Sequence, residues 1–373
     1  MVKIWEMQRK TENSPGKGLQ DVETGEVSTS SLTDGRSKDT IWTNLVHKLL
    51  QDPSRTLNDI SKFSPLNSVP ALVFVWYFTA IFSITTSKAI LMNSPHPYIL
   101  CLCQCLVACT ISMYISKSTN VYKELSGPSI SLVVSIGFTY TLGFILTNMA
   151  FNKVSASFAE TVKASEPLSS VLLGYIFYSE FLSTKTYLTL IPICIGVATS
   201  CMSSDAFNLA GFSLAMGSNF FFSSRAVLSK VLMRSYPDAM NEISLFAHIS
   251  SVGVIVVMPF VFFFDVIELM NANPKNVGNE SSISSLMLYV MYICNGLAYT
   301  VYNLMSFMVL TRTNIATHAV LNVFRRVFII VFTSIYFGNH LSALNIFGIC
   351  LSIVGVLLFN KVKENVQSLN IKQ

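Results

Sequence analysis

Residues 317–336 read THAVLNVFRRVFIIVFTSIY, and the adjacent arginines in that apolar run constrain everything around it. The run is long enough to cross a bilayer as a helix, which takes about 20 predominantly apolar residues. Arg325 and Arg326 nevertheless sit side by side near its middle. An arginine at membrane depth costs ~2.5 to ~17 kcal/mol, depending on how it is measured, unless protein or trapped water surrounds it. A chain that keeps two of them either neutralises them with fixed acids or receives an anion there.

The rest of the chain has the same character. Its 373 residues are 51% hydrophobic and only 12% charged, with a mean hydropathy of +0.53. Soluble domains carry about 25% charged residues, so the composition predicts an all-α integral membrane protein and excludes a soluble one. Residues 1–68 hold nine basic and nine acidic side chains, leaving sixteen basic and eleven acidic in the remainder, so the surplus of +5 belongs to the membrane part. That polar N-terminal stretch reads as a disordered tail, with a short amphipathic helix over 41–50. It has no apolar core of the length a cleavable secretory signal needs. All eight cysteines lie in apolar segments. Cys101, Cys103, Cys105 and Cys109 cluster, but no histidine or acid accompanies them at metal-ligand spacing, so no metal site is expected.

From Pro70 onward ten apolar runs alternate with polar breaks: 70–92, 98–116, 128–150, 154–177, 186–203, 209–233, 243–264, 283–309, 314–336 and 341–360. Ten spans place both termini on one side. Lys117, Lys123, Lys185, Arg234, Arg312, Lys361 and Lys363 fall on that side, against Lys153 and Lys275 opposite. The basic excess of cytoplasmic loops then puts both ends in the cytosol.

The chain also repeats itself. A shift of 159 residues lays Tyr140 and Thr141 on Tyr299 and Thr300, Lys153 on Arg312, Leu182 and Ser183 on Leu341 and Ser342, and Gly196 on Gly355. Five spans per copy is an odd number, so the second copy enters from the opposite face. The predicted fold is two inverted five-helix repeats, 69–205 and 206–363, followed by a short tail, 364–373. Inverted repeats are the architecture of alternating-access carriers, with the ligand held near the midplane between the halves.

The same shift pairs Lys163 with Asn322 and Glu166 with Arg325. Glu160, Lys163 and Glu166 follow one another at intervals of three, which predicts one shared helical face. Pro167 breaks the backbone ladder beside them, and freed backbone at that depth needs protein or a wet cavity against it. Glu166 and Glu160 suit a neutralising role, but Lys88, Lys163, Arg225, Arg325 and Arg326 outnumber them. Adjacent guanidinium forks match carboxylate or phosphate, so Lys163, Arg325 and Arg326 are the candidate anion site. Arg225 and Lys230, near the cytosolic end of span six, and Lys88, near the end of span one, read as gating or accessory cations. Tyr302 and Thr147 offer hydroxyls to a ligand, and His318 offers either a proton relay or a helix–helix hydrogen bond. No nucleophile–base pair, glycine-rich phosphate loop or cofactor motif appears, and enzymatic catalysis is not expected.

At these residues the chain resembles the plastid phosphate translocators, of the triose-phosphate/phosphate type within the drug/metabolite transporter superfamily. The resemblance runs from about Pro70 to Lys363. It is carried by Lys153 to Pro167 (KVSASFAETVKASEP), Ser224 to Lys230 (SRAVLSK), Tyr302 with Asn303, and Thr317 with His318 ahead of Arg325 and Arg326. It implies an antiporter exchanging inorganic phosphate for a phosphorylated C3 compound such as triose phosphate, 3-phosphoglycerate or phosphoenolpyruvate. The implied partners are those anions and membrane lipid, with no nucleic acid and no cofactor. It further implies that Lys163, Arg325 and Arg326 hold the phosphate, while Thr147 and Tyr302 touch phosphate or carbon skeleton. Two departures bear on the organic part: Phe144 stands where triose-phosphate members carry histidine, and Ala159 with Glu160 replaces their Thr-His pair. Location follows as a plastid or apicoplast membrane, with a nucleotide-sugar carrier of Golgi or endoplasmic reticulum as the alternative reading. An interaction protein working through residues 1–68 is the alternative of a different class.

Overall fold

A computed structural model describes residues 68–124, 127, 129–178, 183–202, 207–236, 241–271, 284–313, 315–339 and 341–371. The N-terminal tail and its expected helix at 41–50 lie outside the described residues. Every regular element among them is helical. In chain order these are α1 (Val69–Asn93), α2 (Pro97–Ser118), α3 (Ser129–Lys153), α4 (Ala156–Lys163), α5 (Glu166–Tyr178), α6 (Thr184–Leu188), α7 (Leu190–Met202), α8 (Leu209–Ser235) and α9 (Glu242–Phe260). A π-helical turn over Val261–Val266 joins α9 to α10 (Ile267–Asn271), and α11 (Ser285–Arg312), α12 (Ile315–Tyr336) and α13 (Ala343–Ile371) complete the chain.

Helix starts and stops follow local chemistry. Ser155, Asn208, Asn241 and Ser284 accept backbone N–H bonds from the first turns of α4, α8, α9 and α11, which satisfies donors a helix leaves orphaned. At the other end, Gly338 takes a φ of +66° after α12. There the Asn339 N–H reaches back to the Ser334 carbonyl at 2.9 Å and the Gly338 N–H to that of Ile335 at 3.3 Å. A residue with a side chain resists that left-handed φ, so glycine stops the helix there. The last helix runs on past Lys363, so the backbone of the expected C-terminal tail is helical to Ile371.

The distribution of apolar surface is that of a protein in lipid. Six stretches among the described residues are long and apolar enough to cross a membrane: Val69–Asn93, Pro97–Ser118, Ser129–Lys153, Thr184–Met202, Glu242–Met270 and Ala343–Lys363. Large apolar side chains such as Phe74, Ile255, Leu286 and Ile335 point outward, whereas Ser83, Gln104, Thr141, Asn148, Asn219, Asn295 and Thr300 are buried. Burying amides and hydroxyls in this way is tolerable only when they form hydrogen bonds. They do: Gln104 donates to Asn295 Oδ1 at 2.8 Å and accepts from Asn148 at 3.1 Å, while Asn295 donates to Ser87 Oγ at 2.9 Å. This network ties α1, α2, α3 and α11 together. A further acid, Asp265 on the π-helical turn, is also buried and accepts the Ile99 N–H of the first turn of α2 at 2.7 Å. The apolar run read as 243–264 stops one residue short of it.

α3 packs along α8, α1 along α11, α2 against both α9 and α11, and α7 along α13. Small residues allow the close approaches. A side chain at Gly196 on α7 would strike the backbone of Gly348 and Ser352 on α13, so the two backbones meet directly, as small residues permit in membrane helix pairs. Gly137 on α3 receives Val252 of α9, and Gly296 on α11 receives Val107 of α2.

Candidate functional site

The helices that carry most of the buried charge, α4, α5, α8 and α12, are not among the six purely apolar stretches. They converge with α1, α2, α3 and α11 on a cavity of about 150 Å³. One water needs roughly 10–15 Å³ on that measure, so the space holds on the order of ten. Its lining includes Lys163, Arg225, Arg325 and Arg326 together with Glu160 and Glu166. Four cations face two carboxylates.

The two arginines divide the work, because neighbours on a helix do not point the same way. Arg326 turns to α4 and α5: one guanidinium nitrogen lies 2.5 Å from Glu166 Oε2 and another 3.8 Å from Glu160 Oε2. Arg325 turns to α1 and α11. Its Nε and one terminal N–H both donate to Asn322 Oδ1, at 3.1 and 2.9 Å, and its plane lies 5.5 Å from the Trp76 ring and 6.0 Å from that of Tyr302. Guanidinium over an aromatic face is a favourable cation–π geometry. Among the described residues Arg325 has no carboxylate within ion-pair distance.

Lys163 bonds Glu160 Oε1 at 3.2 Å and stands 5.4 Å from the Phe222 ring. The spacing of three that joins them does not extend to Glu166, contrary to the shared face expected for all three. The helix stops at Lys163, turns through Ala164 and Ser165 and restarts at Glu166, which swings Glu166 toward Arg326. Pro167 falls in the first turn of α5, where its missing N–H costs nothing. The turn is held by protein: Asn219 of α8 donates to the Val162 carbonyl at 3.2 Å, and Ser165 Oγ to the same carbonyl at 2.7 Å.

An aromatic wall runs beside the cations and touches them at Phe222 and Tyr140. The Phe144 ring meets those of Tyr140 at 4.8 Å, Tyr299 at 4.9 Å and Phe222 at 5.0 Å, all edge to face. Tyr299 and Tyr140, 159 residues apart, share a hydroxyl–hydroxyl bond of 3.1 Å. Arg225 rests over Tyr140 at 5.5 Å and Phe307 at 5.9 Å, and its buried Nε has no hydrogen-bond partner among the described residues. Tyr302 and Thr147 both line the cavity, although the Thr147 hydroxyl already donates to the Gly143 carbonyl at 2.8 Å. His318 stacks on Trp76 at 5.1 Å, with Nε2 3.5 Å from Ser306 Oγ. These contacts join α12 to α1 and α11.

Not every candidate gathers here. Lys88 is absent from the lining; its ammonium caps the end of α3, donating to the carbonyls of Phe151 at 2.6 Å and Val154 at 3.0 Å. The side chain of Lys230 lies outside the described residues. Glu160 does line the cavity, between Lys163 and Arg326, where a neutralising acid was expected. Sequence reasoning missed Trp76, Phe222 and the Tyr140–Tyr299 pair as lining. For the tyrosines the signal was present, since they head the internal repeat; nothing in the sequence marked Trp76.

Comparison with known proteins gives a consistent picture. The profile of the Triose-phosphate Transporter family matches residues 68–360. The chain is 32% identical over 304 residues to phosphoenolpyruvate/phosphate translocator 1, chloroplastic, of Arabidopsis thaliana, covering 81% of this chain and 73% of that one. It is 31% identical to the triose phosphate/phosphate translocator, non-green plastid, chloroplastic, of Brassica oleracea var. botrytis (81% and 75% covered). It is 32% identical to the triose phosphate/phosphate translocator, chloroplastic, of Zea mays (81% and 74%).

Proposed function

This chain belongs to the triose-phosphate transporter family, a family of transporters and not enzymes, and on that premise we propose that it is a strict antiporter. It exchanges inorganic phosphate for a small phosphorylated metabolite: triose phosphate, 3-phosphoglycerate or phosphoenolpyruvate. The observation that carries the reading is the cavity itself, where Lys163, Arg225, Arg325 and Arg326 outnumber Glu160 and Glu166. Uncompensated charge in a low-dielectric space is costly, and a phosphoryl dianion of about −1.5 to −2 at pH 7 offsets a formal surplus of two.

In this account the phosphoryl group docks between Lys163, Arg325 and Arg326. Arg325 has no fixed carboxylate, and its Asn322 bonds leave donors for a ligand. Tyr302 and Thr147 face the ester, and the aromatic wall around Phe144 borders the carbon skeleton. The ten helical stretches act as ten spans in two inverted halves, 69–205 and 206–363, behind a cytosolic tail of residues 1–68 and ahead of a short tail at 364–373. Packing supports that symmetry: the α3–α8 contact has its counterpart in α11–α1, and Val252 on Gly137 has its counterpart in Val107 on Gly296. The ligand drives closure by binding the occluded state more tightly than the open ones, while bare cations resist closure, so transport is coupled exchange. The similarity to chloroplast and plastid translocators supports a plastid membrane as the site of action, and the basic bias of the loops puts both termini in the cytosol.

Counter-exchange in proteoliposomes tests this. Labelled phosphate enters vesicles loaded with triose phosphate and does not enter empty ones. Uptake only against internal UMP or GMP would replace this function with nucleotide-sugar transport.

A further inference from the structure

We infer that Glu160 sets the charge of the ligand: it makes the chamber select phosphate esters with an uncharged carbon skeleton over esters that also carry a carboxylate. The inference rests on the exchange reading above and narrows its substrate class.

Three observations carry it. First, Glu160 is the most deeply buried charged side chain of the cavity, 1% exposed, so neither water nor salt screens it well. Second, its two oxygens are shared between Lys163 and Arg326, at 3.2 and 3.8 Å. Those are two of the three cations that face a phosphoryl group, so the carboxylate is a fixed occupant of the ligand's own electrostatic field. Third, the remaining acid, Glu166, is 30% exposed at its side chain and bound to Arg326 at 2.5 Å, where solvent weakens its reach. With Glu166 already spent on Arg326, Glu160 is the group that lowers the remaining cationic surplus in the closed chamber from three to two.

A phosphate monoester carries about −1.5 to −2 at pH 7 and balances a surplus of two. A carboxylate on the same skeleton adds a further negative charge. That charge stays uncompensated once the chamber closes, and it is repelled by Glu160 across a cavity only a few water diameters wide. Repulsion of one ligand class is as effective a source of selectivity as attraction of another. Inorganic phosphate and triose phosphate fall in the accepted class; phosphoenolpyruvate and phosphoglycerate fall in the disfavoured one.

The test uses full-length protein in liposomes loaded with phosphate, with triose phosphate and phosphoenolpyruvate competing against labelled phosphate uptake. The wild type is expected to be inhibited more strongly by triose phosphate. Glu160→Gln is expected to shift the ratio of the two inhibition constants toward phosphoenolpyruvate by about tenfold or more, as one unit charge at close range in a partly desolvated site requires. Glu160→Asp keeps the charge and is expected to keep the wild-type order, and Glu166→Gln is expected to move the ratio far less. An unchanged ratio in an active Glu160→Gln protein overturns the inference. So does stronger inhibition of the wild type by phosphoenolpyruvate, a readout that needs no variant to fold. Absence of any phosphate counter-exchange in the wild type would overturn the transport reading itself, and this inference with it.

Discussion

The adjacent arginines are equal in sequence and unequal in structure. Arg326 is held by Glu160 and Glu166, whereas Arg325 is held by Asn322 and two aromatic rings. Removing Arg326 leaves the part-exposed Glu166 without its partner and Glu160 with Lys163 alone, and takes away a donor fork, so Arg326→Ala should abolish phosphate exchange while the protein still inserts. Normal exchange kinetics in that variant would discard the site. Arg325→Lys keeps the charge but loses the planar fork and most of the stacking on Trp76 and Tyr302, worth about 0.5–2 kcal/mol. Its KM for phosphate should rise roughly 3- to 30-fold with exchange retained, as initial uptake rates will show. At this scale the double cation was legible because charge inside an apolar run must be answered either by fixed acids or by an anion. The stacking partner was not, because a tryptophan in an apolar run looks like any other lipid-soluble side chain.

At the scale of elements, the decisive feature is the break between α4 and α5. Pro167 announced an interruption, but the turn falls at Ala164 and Ser165, ahead of the proline, and it redirects Glu166 from Lys163 to Arg326. Spacing by three describes an unbroken helix and cannot report a turn inserted within it. The α7–α13 contact was legible in part, since Gly196 and Gly355 coincide under the repeat, yet nothing in the sequence named Gly348 and Ser352 as what Gly196 meets. There the backbones touch, so Gly196→Leu must push the helices apart. Overpacking of this kind typically costs 1–3 kcal/mol and at times more, and the purified variant should show a lowered Tm or fail to elute as a single species. An unchanged Tm would mean that α7 and α13 do not pack as described.

At the scale of the whole molecule, hydropathy located the helical stretches to within a few residues at most ends, and the offset of 159 brought together two tyrosines whose hydroxyls meet at 3.1 Å. On the inverted-repeat reading proposed above, residues at the axis meet their own equivalents, which is why a shared offset is legible. The cavity's contents were less legible, since they depend on which faces of eight helices converge. The tyrosine pair tests the symmetry. Tyr140→Phe or Tyr299→Phe alone leaves one buried hydroxyl unpaired and should cost about 1–3 kcal/mol, whereas the double replacement should recover much of it. Additive losses in thermal unfolding would show that the hydroxyls do not depend on each other. The account as a whole stands on a surplus of buried positive charge balanced by a mobile phosphoryl anion. Equilibrium binding of labelled inorganic phosphate to the purified protein in detergent measures that directly. The account predicts saturable binding at one site per chain, lost when Arg325 and Arg326 are both replaced by alanine in a protein that still elutes as a single species. Undiminished binding in that double variant, or no saturable binding to the wild type, would contradict it.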